Sequence, residues 1–198
     1  TARALATLNK EGATDKVESL LLTSAKLLRN DLAYNNLADF YSLKLRAITL
    51  DTKTPQDALV EQFRTTFSKV ENAALMSIQY DPTNGANWQR IGTLYQSVIP
   101  FKVKGAYEGS KVAYQKLYDL SPMSPEPDVL LARLELVNGN KDNVRKLIDQ
   151  ALVKKPNAID VMIFRSNFEL EDGNQTDALA WAVKAVKTEP RSPNTLYQ

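Results

Sequence analysis

Along almost the whole chain, apolar and polar positions recur with the period of an α-helix, and the interruptions fall at residues that stop one. Residues 15 to 28 read as a helix. Leu37, Ala38, Phe40 and Tyr41 mark the start of a second, and after an extended connection at 50 to 54 a long helix is predicted over about 55 to 80. Beyond Asp81 and Pro82, the run Trp88, Ile91, Leu94 and Tyr95 opens another helix, and the segment 112 to 120 closes its partner ahead of Pro122. The pattern predicts an almost wholly helical protein.

The same elements repeat. Pro122, Pro156 and Pro190 are each 34 residues apart, and Gly139 and Gly173, like Ala151 and Ala185, keep that interval. Segments 125–156 and 157–190 therefore superpose without a gap. Physical reasons account for each marker. Glycine between two helices takes the left-handed conformation that ends the first, and proline after the second cannot continue it. The alanines fall in the last turns of the second helices, where small side chains let neighbours approach. From Pro82 to Pro122 the interval is 40, so about six residues are added, around 98 to 105. Residues 1 to 30 fit a further pair with its turn at Glu11 and Gly12.

Trp88, Ile91, Gly92, Tyr95, Tyr114 and Pro122 resemble, in order, the signature of the tetratricopeptide repeat, with Ser110 and Leu117 where alanines are usual. The small residue beside the aliphatic recurs as Ala38, Gly92, Ala132 and Ser166. In the last two full repeats Glu135 and Glu169 stand where tyrosine is usual, and Arg165 replaces the aliphatic. The resemblance implies an all-α fold, a right-handed α-solenoid of antiparallel helix pairs in one helical-repeat domain over 1–198. Its parts are a partial repeat at 1–30, a repeat with extended helices at 31–82 and a repeat with the insertion at 83–122. Full repeats at 125–156 and 157–190 and the start of a truncated one at 191–198 complete it. The run from 87 to 100, with Gly105, Tyr107 and Tyr114, is also similar to the repeat region of membrane-attached, O-antigen-ligase-like proteins of candidate-phylum bacteria. That likeness implies a soluble region attached to a membrane protein and admits the extracytoplasmic side; the residues themselves leave the compartment open.

Composition narrows the chemistry. Lys plus Arg total 25 against 23 for Asp plus Glu, with the signs interspersed, which argues against a nucleic-acid partner. The chain has neither cysteine nor histidine, and so lacks the ligands of most transition-metal sites and the commonest general base. No cofactor and no metal are expected. No apolar run approaches the ~18–20 residues that span a bilayer, so direct membrane insertion by this chain is not expected. Glu169, Glu171 and Asp172, or Asp142 and Asp149, could pair as acid and base, and Lys102, Lys104 and Lys111 could form an anion patch. Solvated helix faces account for both sets better, because a catalytic pair needs a partly dry pocket. The expectation is a protein without catalytic residues.

In tetratricopeptide proteins the first helices line a concave groove, and residues flanking their core positions face it. Projected here, the groove carries Asn35, Asp39, Gln89, Thr93, Gln96, Arg133, Ile163 and Asn167, with Ser42, Val129, Leu136 and Leu170 beside them. Only Arg133 among them is cationic, which argues against the lysine-rich clamp for C-terminal carboxylates. The function implied is a non-catalytic protein–protein interaction scaffold that binds a partner protein or peptide segment in this groove. The alternative is an accessory soluble domain of a membrane-embedded glycan ligase or polymerase. Leu196 and Tyr197 open a helix whose partner is missing, and an uncovered solenoid end predicts self-association through the C-terminal end.

Overall fold

Asn30 begins the first well-anchored helix. Its side chain accepts a hydrogen bond from the Ala33 amide at 2.9 Å, satisfying one of the donors that a helix start leaves open. A computed structural model describes residues 13–188, and these contain nine α-helices, a short 3-10 turn and no strand. The turn expected at Glu11 and Gly12, the marker Pro190 and the repeat expected from 191 to 198 lie outside the described residues. Two compact units are present, the first ending at Phe101 and the second beginning at Lys102.

The first unit contains α1 (Ala13–Leu28), α2 (Asp31–Thr49), α3 (Gln56–Tyr80) and α4 (Gly85–Val98), followed by the 3-10 turn Ile99–Phe101. Each helix packs on the next, α2 against α3 most extensively. Leu37, Phe40 and Tyr41 of α2 and Val70, Ala73 and Ala74 of α3 are all buried. Leu37 lies well inside α2 and not at its start, because Asn30 and Asp31 nucleate the helix upstream of the apolar run that announces it. Glu18 of α1 sits between Lys44 of α2 and Lys69 of α3, each at 2.8 Å, and accepts from the Tyr41 hydroxyl at 2.9 Å. Burial opposes its ionisation, yet the hydrogen bonds from Lys44, Lys69 and Tyr41 prevail and hold its carboxyl down at about 2.

The second unit contains α5 (Ala106–Leu120), α6 (Glu126–Val137), α7 (Lys141–Lys154), α8 (Ile159–Glu171) and α9 (Gln175–Thr188), each packed on its successor. Gly139 and Gly173 end α6 and α8 with φ of +76° and +85°. The amides of Gly139 and Asn140 then bond back to the carbonyls of Leu136 and Glu135, both at 3.0 Å. Gly173 and Asn174 repeat the arrangement on Leu170 and Glu169. This double closure satisfies the last carbonyls of each helix and needs a residue that tolerates positive φ. The core gathers Val144 and Ile148 of α7, Met162 and Phe168 of α8, and the alanines Ala132, Ala151 and Ala185. The small positions Ala38, Gly92, Ala132 and Ser166 are all buried.

Candidate functional site

Of the projected groove residues in the first unit, Asn35 turns out to be an anchor. Its amide donates to Asn87 Oδ1 at 2.8 Å, and Asn87, wholly buried, donates to the carbonyls of Ser77 and Asp81 at 3.2 and 3.0 Å and to Asp31 at 3.3 Å. Asn84 also donates to Asp31, at 2.9 Å, and that bond leads the set that lowers the Asp31 carboxyl below its ordinary value. The network locks the starts of α2 and α4 to the end of α3. Asp39 is paired with Arg90 of α4.

Gln89 and Thr93, in contrast, open onto a pocket of about 610 Å³ within the first unit. Leu45, Val70, Leu94 and Val98, all buried, supply its floor from three helices. Ser42, Arg46 and Thr49 of α2 form one rim; Gln89, Arg90, Thr93 and Ser97 of α4 form the other. Phe63 of α3 and Phe101 of the 3-10 turn stand at one end with ring centroids 5.3 Å apart. No carboxylate lines the pocket, and two guanidinium groups do. Gln96 is half-buried on α4 outside this lining. Such an arrangement can hold an apolar group on its floor and polar groups along its rims, and nothing in it supplies a nucleophile paired with a base.

In the second unit Arg133 and Asn167 are exposed on α6 and α8, the Arg133 guanidinium 5.4 Å from the Phe164 ring. Ile163 is half-buried and rests against the core, as do Val129 and Leu136. These three therefore divide their surface between packing and any ligand.

The carboxylates behave differently from the solvated faces expected of them. Glu171, Asp142 and Asp149 are exposed, but Glu169 is only 1% exposed. It accepts from Arg145 Nε at 3.1 Å and Nη2 at 3.0 Å and lies 2.8 Å from Arg165 Nε. Asp172 extends the cluster to Arg145 and Lys141, and Asp149 accepts from Arg165 at 3.1 Å. Burial opposes ionisation of Glu169, but Arg145, then Asn174 and Arg165, outweigh it and its carboxyl lies below the ordinary range. Glu169 is thus a buried anion held by two arginines, unsuited to donate a proton at neutral pH. The two departures from the signature explain each other: Glu169 in place of tyrosine is neutralised by Arg165 in place of the aliphatic, one helical turn away. Glu135, the other glutamate at a tyrosine position, is buried too and accepts from the Tyr107 hydroxyl of α5 at 2.9 Å. Burial and this contact push Tyr107 up to about 12.

Asp128 is likewise buried, with Lys154 at 2.6 Å. Arg145 and Lys154 are the partners that sequence reasoning missed. No local pattern points to them, because each sits on a helix following the one that carries its carboxylate or preceding it. Among the described residues no group of carboxylates converges as a metal site, and no helix is long and apolar enough to cross a membrane.

No family model matches the chain, nor does any curated protein. Among solved structures it is similar to a thermophilic TPR protein of Thermus thermophilus at 15% identity and a TM-score of 0.58, over 90% of this chain and 94% of that one. It is also similar to the MamA protein, at 15% identity and a TM-score of 0.53 over 81% of this chain and 73% of that one. A second MamA structure aligns at 14% identity and a TM-score of 0.50, over 69% and 77% of the respective chains. At these identities the likeness concerns the fold: the chain has the all-helical repeat architecture of tetratricopeptide proteins, an α-solenoid built from antiparallel helix pairs.

Proposed function

We propose that the protein is a non-catalytic interaction scaffold whose first helices, α2 and α4 in one unit and α6 and α8 in the other, each offer positions for binding a segment of a partner protein. The observation that carries this reading is the pocket between α2 and α4. Gln89 and Thr93, placed on the groove from sequence alone, both line it, and its apolar floor lies between polar rims. Pockets of this size, apolar at the base with a few polar groups at the edge, suit side chains of a peptide better than a freely diffusing ion. The repeat fold supports the same reading, since stacked helix pairs commonly serve as extended binding surfaces.

A photo-crosslinking amino acid at Thr93 or at Asn167, both exposed, tests it in cells that make the full-length protein. A specific protein segment is expected in the cross-linked product. Replacing Gln89, Arg133 and Asn167 together by alanine should weaken that partner's binding by at least about tenfold, ~1.4 kcal/mol, with the melting temperature little changed. Full binding by the triple variant would overturn the groove assignment. A glycan in place of a protein segment in the cross-linked product would transfer the role to an accessory domain of a glycan ligase or polymerase.

A further inference from the structure

We propose that the pocket of the first unit selects an acidic peptide segment carrying a bulky apolar side chain. This rests on the reading of the protein as a segment-binding scaffold and names the chemistry of the segment. Three features of the pocket, each pointing to a different part of the ligand, carry the proposal.

The first is the aromatic end. Phe101 is 56% exposed although its ring stands beside Phe63 and above the buried floor of Leu45 and Val98. An exposed ring next to an apolar depression gains by being covered, and a leucine or phenylalanine side chain of a partner would cover it. The second is charge. Arg90 is committed to Asp39, whereas Arg46 is exposed and no carboxylate among the described residues pairs with it. With no acid in the lining, the pocket's field favours an anion. The carbonyl ends of α2 and α4 oppose one, but that effect fades within a turn, and the long Arg46 side chain holds an anion away from them.

The third feature distinguishes a peptide from a phosphate-rich strand. Ser42, Thr49 and Ser97 each donate their hydroxyl proton to their own helix, to the carbonyls of Ala38, Arg46 and Leu94 at 2.8, 2.9 and 2.7 Å. What these hydroxyls turn toward the pocket is therefore lone pairs. Acceptors along the rim match the N–H groups of an extended peptide and repel the acceptor-only oxygens of a nucleic-acid backbone. The amides of the ligand meet the hydroxyls, its carboxylate meets Arg46, and its apolar side chain meets Phe101.

The probes are short fluorescein-labelled peptides: one of leucine and phenylalanine interspersed with glutamate, one with every glutamate changed to lysine, and one with the apolar residues changed to serine. Anisotropy with the intact chain should show binding of the first alone, weakening with salt as an exposed charge contact does. Arg46→Glu should reduce its affinity at least about tenfold and raise that of the lysine peptide, as expected when the sign of an interface charge is reversed. Phe101→Ser should abolish the advantage of the apolar side chains. Both positions are exposed, and an unchanged melting temperature confirms that the variants fold. Equal binding of the lysine peptide, indifference to Arg46→Glu, failure of every peptide to bind, or competition by an oligouridylate would each overturn the proposal. If the cross-link from Thr93 to a natural partner persists undiminished in Arg46→Glu, the scaffold reading stands and this chemistry falls. Loss of any partner at Thr93 in the unmutated protein removes the scaffold reading itself.

Discussion

Replacing Glu169 by alanine should destabilise the second unit well beyond the ~0.5 kcal/mol of an ordinary surface substitution. The carboxylate is almost fully buried and neutralises Arg165, whose side chain is 11% exposed, together with Arg145. Removing one member of a buried ion pair costs ~3–5 kcal/mol, chiefly because the opposite charge stays behind without a partner. Here that loss is moderated, since Asp172 still holds Arg145 and Asp149 still accepts from Arg165. A second effect adds to it: Asn174, just past the left-handed Gly173, loses the carboxylate oxygen to which it donates at 2.8 Å. A net cost of about 2–4 kcal/mol follows. The chain has two tryptophans, and Trp181 packs against the core of this unit, so urea unfolding followed by tryptophan emission in a Trp88→Phe background reports the second unit by itself. The midpoint should fall with an unchanged slope. Replacing Glu169 and Arg165 together by leucine should recover most of the loss, to within about 1 kcal/mol of the parent, because both desolvated charges go. A single variant that loses less than ~1 kcal/mol, or a double variant no better than the single, would refute the argument that the buried charge of Glu169 is stabilised by its pairing with Arg165 within α8.

Glu18 gives a pH dependence of definite sign. Its folded pKa of about 2 lies below the unfolded 4.5, so the stability it contributes is complete above that value and is lost as pH falls from 4.5 toward 2. The loss is at most about 3 kcal/mol, and Glu18→Gln should flatten the acid limb of a stability profile measured by urea titration. Gly139→Ala should cost about 1 kcal/mol in the same assay. A Cβ there meets nothing within 4 Å, so the whole cost is that of holding alanine at φ +76°; no change would mean the turn relaxes freely.

Those glycines show what made the fold legible. The 34-residue interval marks positions where the backbone itself needs a special residue, and such requirements do not depend on which neighbour a helix meets. Gly139 and Gly173 end their helices where that interval places them, and Ala151 and Ala185 are buried. The start of α2 was less legible because it depends on Asn30 and Asp31, whose capping contacts precede any apolar periodicity. The buried charges were least legible of all. A glutamate at a core position has the same appearance in sequence whether it faces water or an arginine, and Arg145 approaches Glu169 from 24 residues away on another helix.

The pocket illustrates the same limit from the side of function. The row projected on α2, Asn35, Asp39 and Ser42, continues at helical spacing to Arg46 and Thr49, and both line the pocket. The projection stops at Ser42, a turn short of Arg46, while the helix runs on to Thr49. Phe101 escaped the projection for a reason of its own. It belongs to the residues added to the repeat period, and an inserted segment has no counterpart in the other repeats from which its position could be read. The features that would give this pocket its selectivity thus lie where the chain departs from the repeat, at the extended end of α2 and in the turn after α4. A regular repeat at this place would keep the rim positions of Gln89 and Thr93 and lose the aromatic end. Deleting 99–101 should therefore abolish the preference for an apolar side chain in the anisotropy assay while leaving the dependence on Arg46, which lies on α2, intact; an unchanged preference for the apolar peptide would show that the floor of the pocket, and not Phe101, is what such a side chain meets.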